Sequence, residues 1–220
     1  MAPEARAVST LAAPGVPLVG APPPPKGMVT FTVWDEIGVG AFPLGAAILM
    51  AGEPGAGKSV AAMILARAWS AAGRNRVAWF ALEEGLDRVF ERADRLGALL
   101  GGVMVYQSAA MAPIVPPGWL WVVDPIQGWR GSAVAAMQEA AEELLGAVRT
   151  GRAASLLALC RVDKRGRAAG PRDVAHLFDA ELYLERRKGE KDPRTVRAAK
   201  NRFGPCGEWE LTWPARKGAG

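Results

Sequence analysis

An α/β fold with a mostly parallel sheet covered on both faces is the class that this sequence predicts, on three observations. Short apolar runs alternate with longer helix-forming segments from residue 46 to residue 160, the βαβα rhythm of such sheets. The run Ala46-Ala47-Ile48-Leu49-Met50 leads at once into a glycine-rich loop and then into Val60 to Ala72, mostly apolar and helix-forming. Beyond Ala180 the rhythm changes to strand–turn–strand, which predicts antiparallel strands at one edge.

The elements follow in order. Residues 1–27 are rich in Ala and Pro, with Pro22 to Pro25 consecutive; such a segment buries no core and is expected to be a disordered or polyproline tail. The folded core is expected over 28–214, with a flexible end at 215–220. Within it, Arg76 to Leu82 reads as a strand and Gly85 to Leu100 as an amphipathic helix. Val103 to Gln107 and Trp119 to Val123 read as strands, Ser132 to Thr150 as a helix, and Ser155 to Cys160 as a buried strand. Glu181 to Arg186, Thr195 to Lys200 and Glu208 to Trp213 supply the antiparallel edge. Short apolar runs of this length suit strands buried on both faces.

Composition narrows the class of function. At 220 residues with 50% hydrophobic content the chain fits one domain with a tail. The net charge, 27 − 22 = +5, is concentrated late: 186–202 holds eight Lys or Arg against Glu190 and Asp192. A nucleic-acid partner is compatible with that bias, as is a solvated basic face. The two cysteines, Cys160 and Cys206, form no Cys-x-x-Cys pair, which argues against a disulfide framework or a zinc site. No run approaches a transmembrane span and no signal pattern opens the chain, so no membrane association and a cytoplasmic location are expected.

The loop after the first strand carries the chemistry. Gly52, Glu53, Pro54, Gly55, Ala56, Gly57, Lys58 and Ser59 spell G-x-x-x-x-G-K-S, with Val60 continuing into the helix. Glycines let the backbone wrap so that N–H groups face phosphate oxygens; the lysine reaches the terminal phosphates and the serine hydroxyl holds Mg²⁺. A helix N-terminus adds its positive dipole end. ATP and Mg²⁺ are the expected cofactors. Asp124, ending the apolar run Trp119 to Val123, is the expected second metal ligand. Glu83, with Glu84 beside it, is the favoured water-activating carboxylate, because ligand chemistry in such sheets gathers at the carboxyl ends of strands. Gln127 either senses the terminal phosphate through its amide, the favoured reading, or is a surface turn residue. His176, the only histidine, suits packing or capping better than catalysis. Trp34, Trp129, Trp209 and Trp213 could lie at an interface or stack on adenine, but none is favoured as a ligand.

These residues together resemble the core of the bacterial RadA (Sms) proteins, which are RecA-like and related to the DnaB helicases. The resemblance runs from about residue 29 to the end. It rests on Gly52 to Ser59, Phe80-Ala-Leu-Glu-Glu84, Arg92-Ala-Asp-Arg-Leu-Gly97, Val123-Asp124-Pro-Ile-Gln127, Val162-Asp-Lys-Arg-Gly166 and His176-Leu-Phe-Asp179. Its most specific part is Lys200-Asn-Arg-Phe-Gly-Pro205, similar to the KNRFG signature of that family.

The resemblance implies a RecA-like P-loop NTPase fold and a Mg-dependent, DNA-dependent ATPase acting in recombination, repair or replication. It implies a homo-oligomer with ATP at subunit interfaces, where Lys200 and Arg202 serve a neighbour's phosphates. It implies that Lys164, Arg165, Arg167 and Arg172 contact DNA, single-stranded or branched. That stretch has no stacking aromatic, unlike most single-strand sites. Arg161 stands where RadA has His and the DnaB helicases have Gln. Neither RadA's four-cysteine motif nor its Lon-protease-like domain has a counterpart in these residues. Two alternatives remain open: an ATP-switched DNA-binding or loading module without significant turnover, and a compact DnaB-like helicase from a mobile element.

Overall fold

The strands of this computed structural model are β1 (Val16–Pro17), β2 (Ala47–Gly52), β3 (Val77–Ala81), β4 (Val103–Tyr106), β5 (Trp119–Asp124), β6 (Ala153–Arg161), β7 (Ala180–Arg186), β8 (Arg194–Asn201) and β9 (Gly207–Leu211). The helices are α1 (Thr32–Glu36), α2 (Lys58–Ala71), α3 (Leu86–Arg95), α4 (Gln127–Arg130), α5 (Val134–Arg149) and α6 (Arg172–Leu177), with a 3-10 helix at Ala109–Ile114. The residues described are 16–17, 32–39, 42–71, 76–95, 102–131, 133–163, 166, 168, 172–186 and 194–211. Within the expected N-terminal tail only Val16–Pro17 is described, pairing antiparallel with β4; the rest of 1–27, and the expected end at 215–220, lie outside the described residues.

Among the described residues the strands form one sheet in the order β1-β4-β3-β5-β6-β2-β7-β8-β9. From β4 to β7 every pairing is parallel, and β8 and β9 return antiparallel. The apolar runs explain the layering. β2 and β3 are buried along their whole length, as expected of parallel strands covered on both faces. Alternate residues feed two cores. Ile48, Met50, Trp79, Val122, Leu157 and Leu182 pack with α1, α2 and α3. Leu49, Phe80, Trp121, Val123, Ala158 and Tyr183 pack with α4, α5, α6 and the 3-10 helix. The chain thus has the α/β, RecA-like architecture that its sequence predicts.

Two of the four tryptophans weighed for an interface or a base are core residues. Trp34 is 3% and Trp129 6% exposed, so neither is available to stack on a nucleotide base. Trp129 instead meets Phe80 edge-on, with ring centroids 5.0 Å apart. Trp209 is partly buried against the first core, and Trp213 lies outside the described residues.

Candidate functional site

Four neighbouring strands, β3, β5, β6 and β2, deliver the candidate site from their carboxyl ends. β2 ends at Gly52 and α2 begins at Lys58, so the loop between them is five residues long, Glu53 to Gly57. Its glycines do different jobs. Gly55 and Gly57 have φ of +81° and +102°, the left-handed region that glycine enters without penalty. A Cβ on Gly52 would lie 2.5 Å from the Leu184 carbonyl oxygen, so that glycine lets β7 approach the loop. The Lys58 ammonium donates to the carbonyls of Gly52, at 2.8 Å, and Glu53, at 3.0 Å. An ammonium has three donors, which leaves one for a phosphate oxygen. Glu53, Pro54 and Gly55 are exposed, while Ala56 is buried and anchors the loop in the core. Val60 packs against that core.

The Ser59 hydroxyl donates to Asp124 Oδ2 at 2.7 Å, joining the start of α2 to the end of β5. Two hard oxygen donors at that spacing suit Mg²⁺. The ion takes few protein ligands, and neighbouring oxygens of its octahedron lie about 3.0 Å apart for bonds of about 2.1 Å. Among the described residues no cluster of three or more His, Cys, Asp or Glu forms a metal cage, so phosphates and waters would complete such a shell. Burial pushes the Asp124 carboxyl above the usual carboxylate range, against the opposing Ser59 bond. Burial likewise pulls the Lys58 ammonium below its usual range, against the attraction of Asp124.

The two glutamates after β3 have separate partners. Glu84 takes both Arg92 nitrogens of α3 at 2.6 Å, and this pair acts electrostatically on Asp124. Glu83 is held by the Arg161 guanidinium from the end of β6. Gln127 is 7% exposed, not a surface turn residue. Its Nε2 donates to Cys160 Sγ at 3.2 Å, while its buried Oε1 has no partner.

Lys200 and Arg202 lie at the other end of the sheet. β8 runs back along β7, so both cations come down beside the start of β2. Lys200 Nζ donates to the carbonyls of His176, in the last turn of α6, and Phe178, just past it, at 2.8 and 2.5 Å. His176 is thus part of a helix end capped by Lys200. Arg202 donates to Asp179 Oδ1 at 2.9 Å. The second Asp179 oxygen accepts from the Ala47 N–H at 2.9 Å. From Ala47 to Gly52 the strand rises roughly 17 Å at about 3.3 Å per residue. Both cations are therefore out of reach of their own chain's P-loop.

Of the expected DNA contacts, Lys164, Arg165 and Arg167 lie outside the described residues, as does the Arg172 side chain. The base of that segment is described. Val162 bridges Ala168, and the Ala168 N–H donates to the Tyr183 hydroxyl at 3.3 Å. Tyr183 donates in turn to Glu181 at 2.5 Å; burial, chiefly, pushes its pKa up to about 12. The Arg197 guanidinium lies 4.4 Å from the centroid of the Tyr183 ring, and a cavity of about 350 Å³ opens here beside Gly52 and Glu53.

Comparison with known proteins adds the family. The chain is 32% identical over 188 residues to the DNA repair protein RadA of Streptococcus pyogenes, covering 78% of this chain. It is 34% identical over 194 residues to the RadA protein of Haemophilus influenzae, covering 81%. The corresponding figures for the RadA protein of Brucella abortus are 33% over 193 residues and 79%. The chain is a RadA-like protein of the RecA family. It spans about two fifths of the length of these relatives, 40% in the S. pyogenes protein. No protein-family model matches the chain. Arg92, Asp179 and Asn201 lie in the motifs quoted from the sequence, but their roles are not legible there, because each acts through a partner that the sequence does not identify.

Proposed function

We propose that this chain is a Mg-dependent ATP-hydrolysing protein that acts on DNA in recombination, repair or replication, in the cytoplasm, with single-stranded or branched DNA as its partner. The observation that carries this reading is the convergence of Lys58, Ser59, Asp124 and Glu83 at neighbouring strand ends. Lys58 and the loop N–H groups would hold the β- and γ-phosphates. Ser59 and Asp124 would hold Mg²⁺, which neutralises charge on the phosphates. Glu83 would accept the proton of the attacking water, and Gln127 would sense the terminal phosphate through its amide.

The site is half of a larger one in this reading. Lys200 and Arg202 face away from their own P-loop and would reach the phosphates of a neighbouring copy, so the active form is a homo-oligomer. The name of the relatives, DNA repair proteins, supports the DNA task, as does the basic charge around residues 161–172 and 186–202. No helix among the described residues is long and apolar enough to cross a membrane.

Steady-state hydrolysis of MgATP with and without single-stranded DNA tests the reading. The expected result is a rate that rises with DNA and is lost in Lys58→Ala. Normal turnover by Lys58→Ala contradicts the site. Tight nucleotide binding with no turnover under any DNA condition would favour the second reading, an ATP-switched loading module. That reading draws on the ion pairs that occupy Glu83 and Arg202, and on the backbone carbonyls that occupy Lys200, within one chain.

A further inference from the structure

We propose that Arg161 is a reversible clamp on Glu83 which the third phosphate of a bound nucleoside triphosphate releases. The inference rests on reading 52–60 as a triphosphate site and specifies what lets Glu83 act there. Arg161 closes β6 and pairs in register with Gly52, the first residue of the P-loop. From there its guanidinium reaches Glu83, which follows β3, two strands away across β5. With neighbouring strands about 4.8 Å apart, the bridge spans about 10 Å of sheet. It passes the end of β5, where Asp124 sits. The charge of Arg161 is also felt at Lys58. One cation therefore borders both the phosphate-binding lysine and the carboxylate expected to activate water.

Two features make the contact exchangeable. The side chains of Arg161 and Glu83 are 54% and 36% exposed, and ion pairs in that setting are weak and screened. A terminal phosphate offers more negative charge and several oxygens in the fork geometry that a guanidinium prefers. A carboxylate oxygen already engaged by arginine is not free to take a hydrogen bond from the attacking water. Transfer of Arg161 to the third phosphate frees Glu83 only when that phosphate is present; a nucleoside diphosphate leaves the clamp closed. Arg161 is a positioning residue in this scheme, acting through Glu83.

Binding separates the clamp from a static ion pair. The dissociation constants of the Mg²⁺ complexes of ADP and of the non-hydrolysable analogue adenylyl imidodiphosphate would be measured by calorimetry on the full chain, Arg161→Gln and Glu83→Gln. Arg161→Gln is expected to lose roughly tenfold of the preference for the triphosphate, with ADP affinity unchanged. Glu83→Gln, which removes the competitor for Arg161, is expected to bind the triphosphate several-fold more tightly and ADP as before. Arg161→Lys, which keeps the charge, is expected to recover part of the preference. Thermal unfolding of each variant checks that the fold is intact. An unchanged triphosphate-to-diphosphate ratio in both glutamine variants overturns the clamp while leaving the site standing. Failure of the unmodified chain to bind either nucleotide overturns the triphosphate site and the clamp together.

Discussion

Asp124 and Lys58 owe their place in this site to burial as much as to sequence. Desolvation raises the carboxyl of one and lowers the ammonium of the other, so each charged form is less favoured than in water. Metal binding needs the ionised carboxylate and phosphate binding needs the ammonium. In the proposed site, metal affinity would be lost as pH falls through the raised Asp124 value, and phosphate affinity would be lost as pH rises through the lowered Lys58 value. The pH profile of kcat/KM for MgATP, which reports the free protein, is therefore expected to be narrower than ordinary side chains would give. Its acid limb should lie above the value of about 3.9 for free aspartate, and its alkaline limb below about 10.4 for free lysine. Limbs at the ordinary values would show that neither group is desolvated in the working site.

The turn after β8 carries the most specific stretch of the sequence, and its local reason is packing. Asn201 Nδ2 donates to the Ile37 carbonyl at 2.7 Å and to the Pro205 carbonyl at 3.0 Å, while its oxygen accepts from the Phe203 N–H at 3.0 Å. Gly38 and Gly204 let two backbones touch: a Cβ on Gly204 would lie 2.4 Å from the Ile37 carbonyl oxygen. A carbonyl within a packed turn cannot swing away as a side-chain tip can. Gly204→Ala is expected to cost about 2–3 kcal/mol by overpacking. Gly45→Ala, with φ +73° but open space around it, should cost only about 1 kcal/mol for its backbone. Chemical denaturation of the two variants checks the contrast.

The same turn marks the boundary of what the sequence discloses. β2, β3, β5, β6 and the helices α2, α3 and α5 are legible because each is a local pattern, an apolar run or a helical periodicity. α1, α4 and the 3-10 helix are too short for a periodicity; Trp34 and Trp129 are held there by contacts with distant strands. The P-loop and Asp124 are legible for the same local reason. The Asn201–Ile37 bond, at a separation of 164 residues, and the Arg161–Glu83 pair, at 78, exist only once the sheet has set its strand order.

The whole molecule places its phosphate loop and its Lys200–Arg202 turn at opposite ends of one sheet. β2 and β7 run one way and β8 the other, and Asp179 ties Arg202 to the start of β2 rather than to its end. That geometry gives each chain two unlike surfaces, one presenting a P-loop and one presenting cations. A head-to-tail assembly would bring them together repeatedly. In such an assembly, cations supplied from a neighbour are worth about 10³–10⁵ in rate at phosphoryl-transfer sites of this kind.

Hydrolysis by mixed assemblies tests this most directly. Arg202→Ala chains keep an intact P-loop, and Lys58→Ala chains keep an intact turn; each alone is expected to be nearly inactive. Mixed in equal amounts, they are expected to recover a substantial part of the unmodified rate, because some interfaces then pair a working P-loop with a working arginine. A mixture no more active than its separate components would contradict the shared site.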